Sequence, residues 1–179
     1  MSRRGENEGS LDDLHTERLT LVALTPELAR VALADRGELG RRLRVHVPPV
    51  WPGAAFAGLL PFLANGLEED SGGPPLPTRL VIHREDAVLV GETGFHGPPN
   101  GEGAVEVGYS VVPDYRGEGI ALEATRALLQ DAILRGGVRR VVAECERDNL
   151  PSIRVLERLG MHRRGVAGER LRYELAVGP

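Results

Sequence analysis

The sequence predicts a domain of the α/β class, more closely α+β: a mixed, mostly antiparallel central sheet flanked by helices. Three observations lead there. Two apolar runs, residues 78–84 and 87–95, are joined only by Glu85-Asp86, and a third, residues 104–112, follows the turn Gly97-Pro98-Pro99-Asn100-Gly101; this is the punctuation of antiparallel strands. The third run stops at Pro113 and passes through a glycine-bearing turn into a long apolar-striped helix and then a strand-like run at residues 138–146, the order of a right-handed parallel crossover. Two last runs, residues 161–166 and 169–177, form a closing hairpin.

Taken in order, residues 1–13, with Arg3, Arg4, Gly5, Glu6, Asn7, Glu8 and Gly9, have no apolar period and are expected to be a tail without fixed structure, leaving residues 14–179 as one domain. Structure is expected from about Glu17, with residues 18–24 as a strand. Thr25-Pro26-Glu27 is a helix start: a capping hydroxyl, proline at the first helical position, then an acid in the first turn. That helix should reach about Arg36, be broken by Gly37 and Gly40, and give way to a short helix or turn over Arg41-Arg42-Leu43-Arg44. Val47-Pro48-Pro49-Val50-Trp51-Pro52 cannot be regular helix or central strand, because three prolines remove backbone donors. It is read as a loop whose tryptophan anchors it to the core. Residues 54–67 have helical apolar spacing, with Pro61 kinking the helix or starting its second half, and residues 68–77 form a flexible connection. The long helix is expected over residues 118–135, with Ile120, Ala124, Ala127, Leu128 and Leu134 on its packed stripe and Gly136-Gly137 stopping it. Asn149-Leu150-Pro151-Ser152 opens another helix, with Ile153, Leu156 and Leu159 on one face and Gly160 as its cap.

Composition limits the function. At 179 residues the chain can bury a sizeable core, and a formal net charge of −4 gives no cationic excess for nucleic acid. Cys145 is the only cysteine, which excludes an intrachain disulfide and a cysteine-based zinc site, and no metal is expected. No run approaches the roughly 18 apolar residues of a membrane span, and residues 1–9 are too polar for a signal peptide, so a cytoplasmic location is expected.

The chemistry centres on Val111-Val112-Pro113-Asp114-Tyr115-Arg116-Gly117-Glu118-Gly119-Ile120-Ala121. A strand feeding a helix through Gly-x-Gly aims unpaired NH groups and the positive end of a helix dipole at one spot, which suits a phosphate. A Cβ at either glycine would block the anion or forbid the backbone angles. A Walker loop requires a lysine, and all 22 basic side chains here are arginine. The dinucleotide fingerprint Gly-x-Gly-x-x-Gly meets Leu122 in its third place, and four residues separate the strand from the first glycine, although Glu144 and Glu146 stand where a ribose-binding carboxylate would fall. The pattern Arg/Gln-x-x-Gly-x-Gly/Ala is met in full by Arg116, Gly119 and Ala121. A second motif is independent of it: Asn149-x-x-Ser152 followed by Leu156-Glu157-Arg158-Leu159-Gly160-Met161. Together these resemble the acetyl-CoA pyrophosphate loop and the pantetheine-contacting segment of the GNAT N-acetyltransferase superfamily. Thr16-Glu17-Arg18-Leu19-Thr20-Leu21, Glu106-Val107-Gly108-Tyr109 and Glu123-Ala124 are similar to its RimJ/RimL-like branch.

The resemblance implies a GNAT fold whose two parallel strands, around Val111 and Val142, splay apart so that free backbone groups can bond pantetheine. It implies acetyl-CoA as cosubstrate, with Val111, Val112, Arg116, Gly117, Gly119, Ile120, Ala121, Asn149 and Ser152 contacting it. The implied reaction is acetyl transfer to a primary amine, on a protein N-terminus or a small molecule, by direct attack in a ternary complex. The rival reading is a non-catalytic acyl-CoA-binding or interaction domain, and assembly as a homodimer is left open. Because an ammonium cannot attack a thioester, a base is needed; the resemblance favours Glu106, with Glu144 as the alternative. Ser152 is the candidate donor toward the CoA sulfur, since Leu156 stands where many relatives have a tyrosine acid. His83 and His96, on the central strands, are candidate pocket residues, with a structural role favoured for each.

Overall fold

The computed structural model describes residues 12–66 and 76–177. The expected tail, apart from its last two residues, and most of the connection expected over residues 68–77 lie outside the described residues. The elements run β1 (Leu14–His15), β2 (Leu19–Ala23), α1 (Pro26–Ala34), α2 (Arg36–Leu43), α3 (Ala54–Ala64), β3 (Arg79–His83), β4 (Val88–Phe95), β5 (Ala104–Val111), a 3-10 turn (Pro113–Tyr115), α4 (Ile120–Arg135), β6 (Arg140–Glu146), α5 (Leu150–Arg158), β7 (His162–Ala167) and β8 (Arg170–Ala176). The strands form one eight-stranded sheet in the order β1-β2-β3-β4-β5-β6-β8-β7, and β5 with β6 is its parallel pair.

Alternation sorts the side chains between the two faces. Val105 and Val107 of β5 join Val141, Ala143 and Cys145 of β6 in one buried cluster with Leu128 and Leu129 of α4 and Leu156 of α5. The opposite face of β4 and β5 is covered by α3 and the loop before it. There Trp51, 1% exposed, donates from Nε1 to Glu92 of β4 at 2.8 Å and packs on Phe56 of α3. The tryptophan thus anchors its loop, as expected. Within α3 the side chains of Phe56, Leu60 and Leu63 are buried, each worth about 1.5–3 kcal/mol. Pro61 sits inside this single helix.

Three local expectations change. The chain begins pairing earlier than Glu17, because Leu14 opposite Leu21 and His15 opposite Thr20 add a short edge strand. Gly37 and Gly40 lie inside α2 and do not break it. The break is at Asp35, whose carboxylate accepts from Gly37 N at 2.7 Å as the cap of α2, while Glu38 pairs with Arg41 and Arg42 along the exposed side. Leu134 is 87% exposed, since it lies about 120° around the helix from Leu128; Leu129 and Ala132 complete the packed stripe in its place.

Glu123, in the first turn of α4, fixes that helix against the start of β2. Its Oε1 accepts from Thr16 Oγ1 at 2.5 Å and Arg18 N at 3.0 Å, and its Oε2 accepts from Arg18 Nε at 2.9 Å, while Arg18 Nη2 donates to Glu118 O at 3.0 Å. Burial works to raise the Glu123 pKa, but the hydrogen bonds from Thr16 and Arg18 and the Arg18 charge together hold it below the ordinary 4.5. A carboxylate with a depressed folded pKa stabilises the fold above its unfolded value and loses that contribution as pH falls through the folded one. Glu123→Ala should therefore cost about 1–3 kcal/mol in urea unfolding at pH 7, and the gap to wild type should close in acid below about pH 4.

Candidate active site

β5 and β6 are paired over only three rungs, Ala104 with Arg140, Val105 with Val141 and Glu106 with Val142, and then diverge. Along β5 the backbone of even-numbered residues faces β4: Glu106 O accepts from His96 N at 2.8 Å and Val112 N donates to Val90 O at 2.9 Å. Alternation turns the backbone groups of residues 107, 109 and 111 toward the gap. A cleft of about 440 Å³ opens there, lined by residues from both faces of the sheet, so the gap connects one face with the other.

The glycine turn lies at the end of β5. Gly117 and Gly119 have φ of +83° and +81°. A Cβ at Gly117 would meet nothing within 4 Å and one at Gly119 only Arg18 Nη2 at 3.7 Å, so within the protein the left-handed backbone, rather than crowding, calls for glycine. Gly119 is the cap residue of α4 and makes no side-chain cap, and among the described residues no protein group accepts from the NH of Gly117, Gly119, Ile120 or Ala121. These donors and the helix dipole suit an anion. Arg116 is exposed and uses Nε to hold Val111 O at 2.8 Å, while Val112 commits its NH to β4.

The α5 side of the cleft holds Asn149, Ser152, Leu156, Tyr109 and Cys145. Asn149 Oδ1 caps α5 by accepting from Ser152 N at 3.1 Å. The Ser152 hydroxyl is thereby free for another partner, and it lies 2.9 Å from the Tyr109 hydroxyl. Burial pushes the Tyr109 pKa up to about 12 against the opposing hydrogen bond to Ser152, so the phenol keeps its proton. Leu156 is fully buried one turn further along.

On the other face lie Glu106, Glu144, Glu92 and His96. Glu106 is the last residue of β5 paired with β6, and its Oε1 is 3.3 Å from His96 Nδ1. His96 lies across the strand: a Cβ on Gly108 would come within 2.8 Å of His96 Nε2, so a larger residue there would make the ring shift. His96 is half-exposed and lines the cleft, whereas His83 is outside it, beside Asp86 at 3.0 Å. Glu144 faces Arg170 at 4.0 Å, and Arg170 also donates to its backbone carbonyl at 3.4 Å. Glu92 and Tyr109 were not singled out from the sequence as chemical groups. The available signal for Glu92 was an acid in the middle of an otherwise apolar strand.

Residues 18–162 match the acetyltransferase (GNAT) domain family. The chain belongs to the GNAT family. The uncharacterized N-acetyltransferase YjdG of Bacillus subtilis is 30% identical over 147 residues, 82% of this chain and 88% of its own length. An acetyltransferase from Agrobacterium tumefaciens shares the fold at 26% identity, with a TM-score of 0.61 over 92% or more of each chain: 93% of this one and 95% of the other. RimL, a ribosomal L7/L12 alpha-N-protein acetyltransferase solved in complex with coenzyme A, is 20% identical with a TM-score of 0.64 over 93% and 98% of the two chains, a likeness of fold. Among the described residues no helix is long and apolar enough to cross a membrane, and no group of His, Cys, Asp and Glu is arranged to hold a metal.

Glu92 serves this GNAT cleft as its anchor. It is 5% exposed, with one oxygen accepting from Trp51 and the other from the Ser110 hydroxyl, and burial raises its pKa against those two bonds. A raised carboxylate pKa means that the fold loses stability, relative to a neutral isostere, as pH rises through that folded value. Glu92→Gln can still accept from Trp51 and donate to Ser110. Its melting temperature relative to wild type should therefore be more favourable at pH 8 than at pH 4, below the ordinary carboxylate value of 4.5, as differential scanning calorimetry at the two pH values would read.

Proposed function

We propose that the protein transfers the acetyl group of acetyl-CoA to a primary amine by direct attack in a ternary complex. The observation that carries this reading is the divergence of β5 from β6 beside the unbonded NH groups that begin α4. Pyrophosphate fits on Gly117, Gly119, Ile120 and Ala121, with Arg116 at the mouth, and the amides of pantetheine can pair along Val111 and the odd-numbered backbone of β5 as an added strand would. Asn149, through the half of its amide not used as a cap, and Ser152 complete the lane. Val112 borders it through its side chain rather than its NH.

The reaction forms a C–N bond and breaks the thioester C–S bond. The amine must first lose a proton, and Glu106 is the base in this reading. Glu106 is favoured over Glu144 because its neighbour is His96, which can pass a proton outward, while Glu144 is engaged with Arg170. The departing thiolate takes its hydrogen bond from Ser152; with a thiol pKa of about 8.5, full protonation is not required for departure. The acceptor is a protein N-terminus or a small-molecule amine, and the reaction proceeds in the cytoplasm. A non-catalytic acyl-CoA-binding domain would need none of the carboxylates aligned on the second face.

Calorimetry with CoA should find binding weakened at least tenfold, about 1.4 kcal/mol, by Gly119→Val, because a β-branched residue is strained at φ +81° and would crowd the anion. Normal affinity in a folded variant would remove the cradle assignment. In acetyl-transfer assays over a panel of amines, Glu106→Gln should lower kcat by roughly 10²-fold. A comparable loss in Glu144→Gln alone would exchange the two roles, and wild type that binds CoA yet acetylates no amine would favour the binding-domain reading.

A further inference from the structure

We infer that Tyr109 positions the Ser152 hydroxyl toward the leaving sulfur, so that a β5 residue supplies what a helix tyrosine at position 156 would otherwise supply. This rests on the acetyl-transfer reading above and extends it to a residue with no role there. Tyr109 lies beyond the last rung that β5 shares with β6, and its side chain points to the α5 face, where the Ser152 hydroxyl is 2.9 Å away and the Ser152 carbonyl 3.3 Å. Both side chains line the cleft. The other groups facing the pair are the apolar Leu156 and the buried Cys145 thiol, whose pKa burial raises against the Arg170 charge and a hydrogen bond with Ser152, so that the thiol is a weak second partner of that hydroxyl. No charged side chain competes for the Ser152 hydroxyl.

A serine hydroxyl rotates freely unless a second partner fixes it. With Asn149 satisfying the Ser152 NH, the tyrosine is the partner that fixes the Oγ. When the phenol donates to Ser152 Oγ, the serine proton is left for a third group, and in the ternary complex that group is the sulfur losing its bond to the acetyl carbon. The electron pair of the C–S bond goes to sulfur, the Ser152 O–H donates to it, and the Tyr109 O–H supports the Ser152 oxygen. No proton need leave either residue. Tyr109 is therefore a positioning residue, and its contribution appears in the chemical step rather than in CoA binding.

The test uses the full chain in single-turnover transfer from acetyl-CoA to an accepted amine, together with CoA affinity and thermal stability. Tyr109→Phe keeps the ring in its packing and removes only the hydroxyl. It should lower the single-turnover rate about 10-fold to 100-fold, with CoA affinity changed less than threefold. Ser152→Ala should give a similar loss, and the double variant should be no slower than the worse single one, because the two act as one unit. A ring-fluorinated tyrosine incorporated at position 109, which keeps the donor, should restore at least a third of the wild-type rate. The inference is overturned if Tyr109→Phe lowers the melting temperature but leaves the rate within twofold of wild type, or if the losses multiply in the double variant. A wild type that is inert toward every amine overturns the transferase reading and this inference with it. An active wild type with an indifferent Tyr109→Phe overturns the inference alone.

Discussion

The parting of β5 and β6 after the Glu106–Val142 rung is the constraint from which the site follows. Interior strands that stop pairing leave amide groups unsatisfied, and such groups are retained only where water or a ligand replaces the lost partner. Here the parted segment is also the end of β5, directly before the glycine turn and α4. A single divergence therefore supplies a lane of free backbone groups, places the start of a helix at its end, and opens a passage through the sheet. The wedge is held on the α5 side by Tyr109 and Ser152 and on the α3 side by Glu92 bridging Trp51 and Ser110.

Because side chains alternate along a strand, neighbouring residues of β5 face opposite sides of the cleft. Tyr109 meets Ser152 of α5, whereas Ser110 meets Glu92 and Glu106 meets His96 on the other face. A one-residue slip of β5 would exchange these sets, so the register with β4, Glu92 opposite Ser110 and Thr93 opposite Tyr109, is a functional as well as a structural quantity. The hydrogen bond between the Thr93 and Thr125 hydroxyls, 3.3 Å apart and buried between β4 and α4, helps to fix that register.

The order of the elements was legible because its signals are local. Thr25-Pro26 caps α1, Gly136 ends α4, and Asn149 caps α5 within three residues of the group it bonds. The glycine turn and the Asn149–Ser152 segment were readable for the same reason. What was not legible depends on long separations or on compensation. Trp51 meets Glu92 across 41 positions and Tyr109 meets Ser152 across 43, and no spacing rule connects such pairs. The contact of His96 with Glu106 was likewise out of reach, because it appears only once β4 and β5 are paired. Within α2, the Asp35 cap, buried Leu39 and the Glu38–arginine pairs outweigh the intrinsic cost of two glycines, about 1 kcal/mol each, on which the expected break relied.

What the start of α4 offers an anion is backbone donors more than side-chain charge. The protein has a net charge of −4 and no lysine, and the arginine nearest the turn, Arg116, spends its Nε on the Val111 carbonyl. Arg18, the other guanidinium beside the turn, is held by Glu123 and by the Glu118 carbonyl. It can therefore stiffen the start of α4 while offering little net charge to a phosphate, because Glu123 neutralises it at 2.8 Å. What remains is a set of oriented NH groups that could meet an anion without side-chain reorganisation. That arrangement requires two glycines with positive φ and a helix fixed at its first turn, and it tolerates wide variation in the side chains around them.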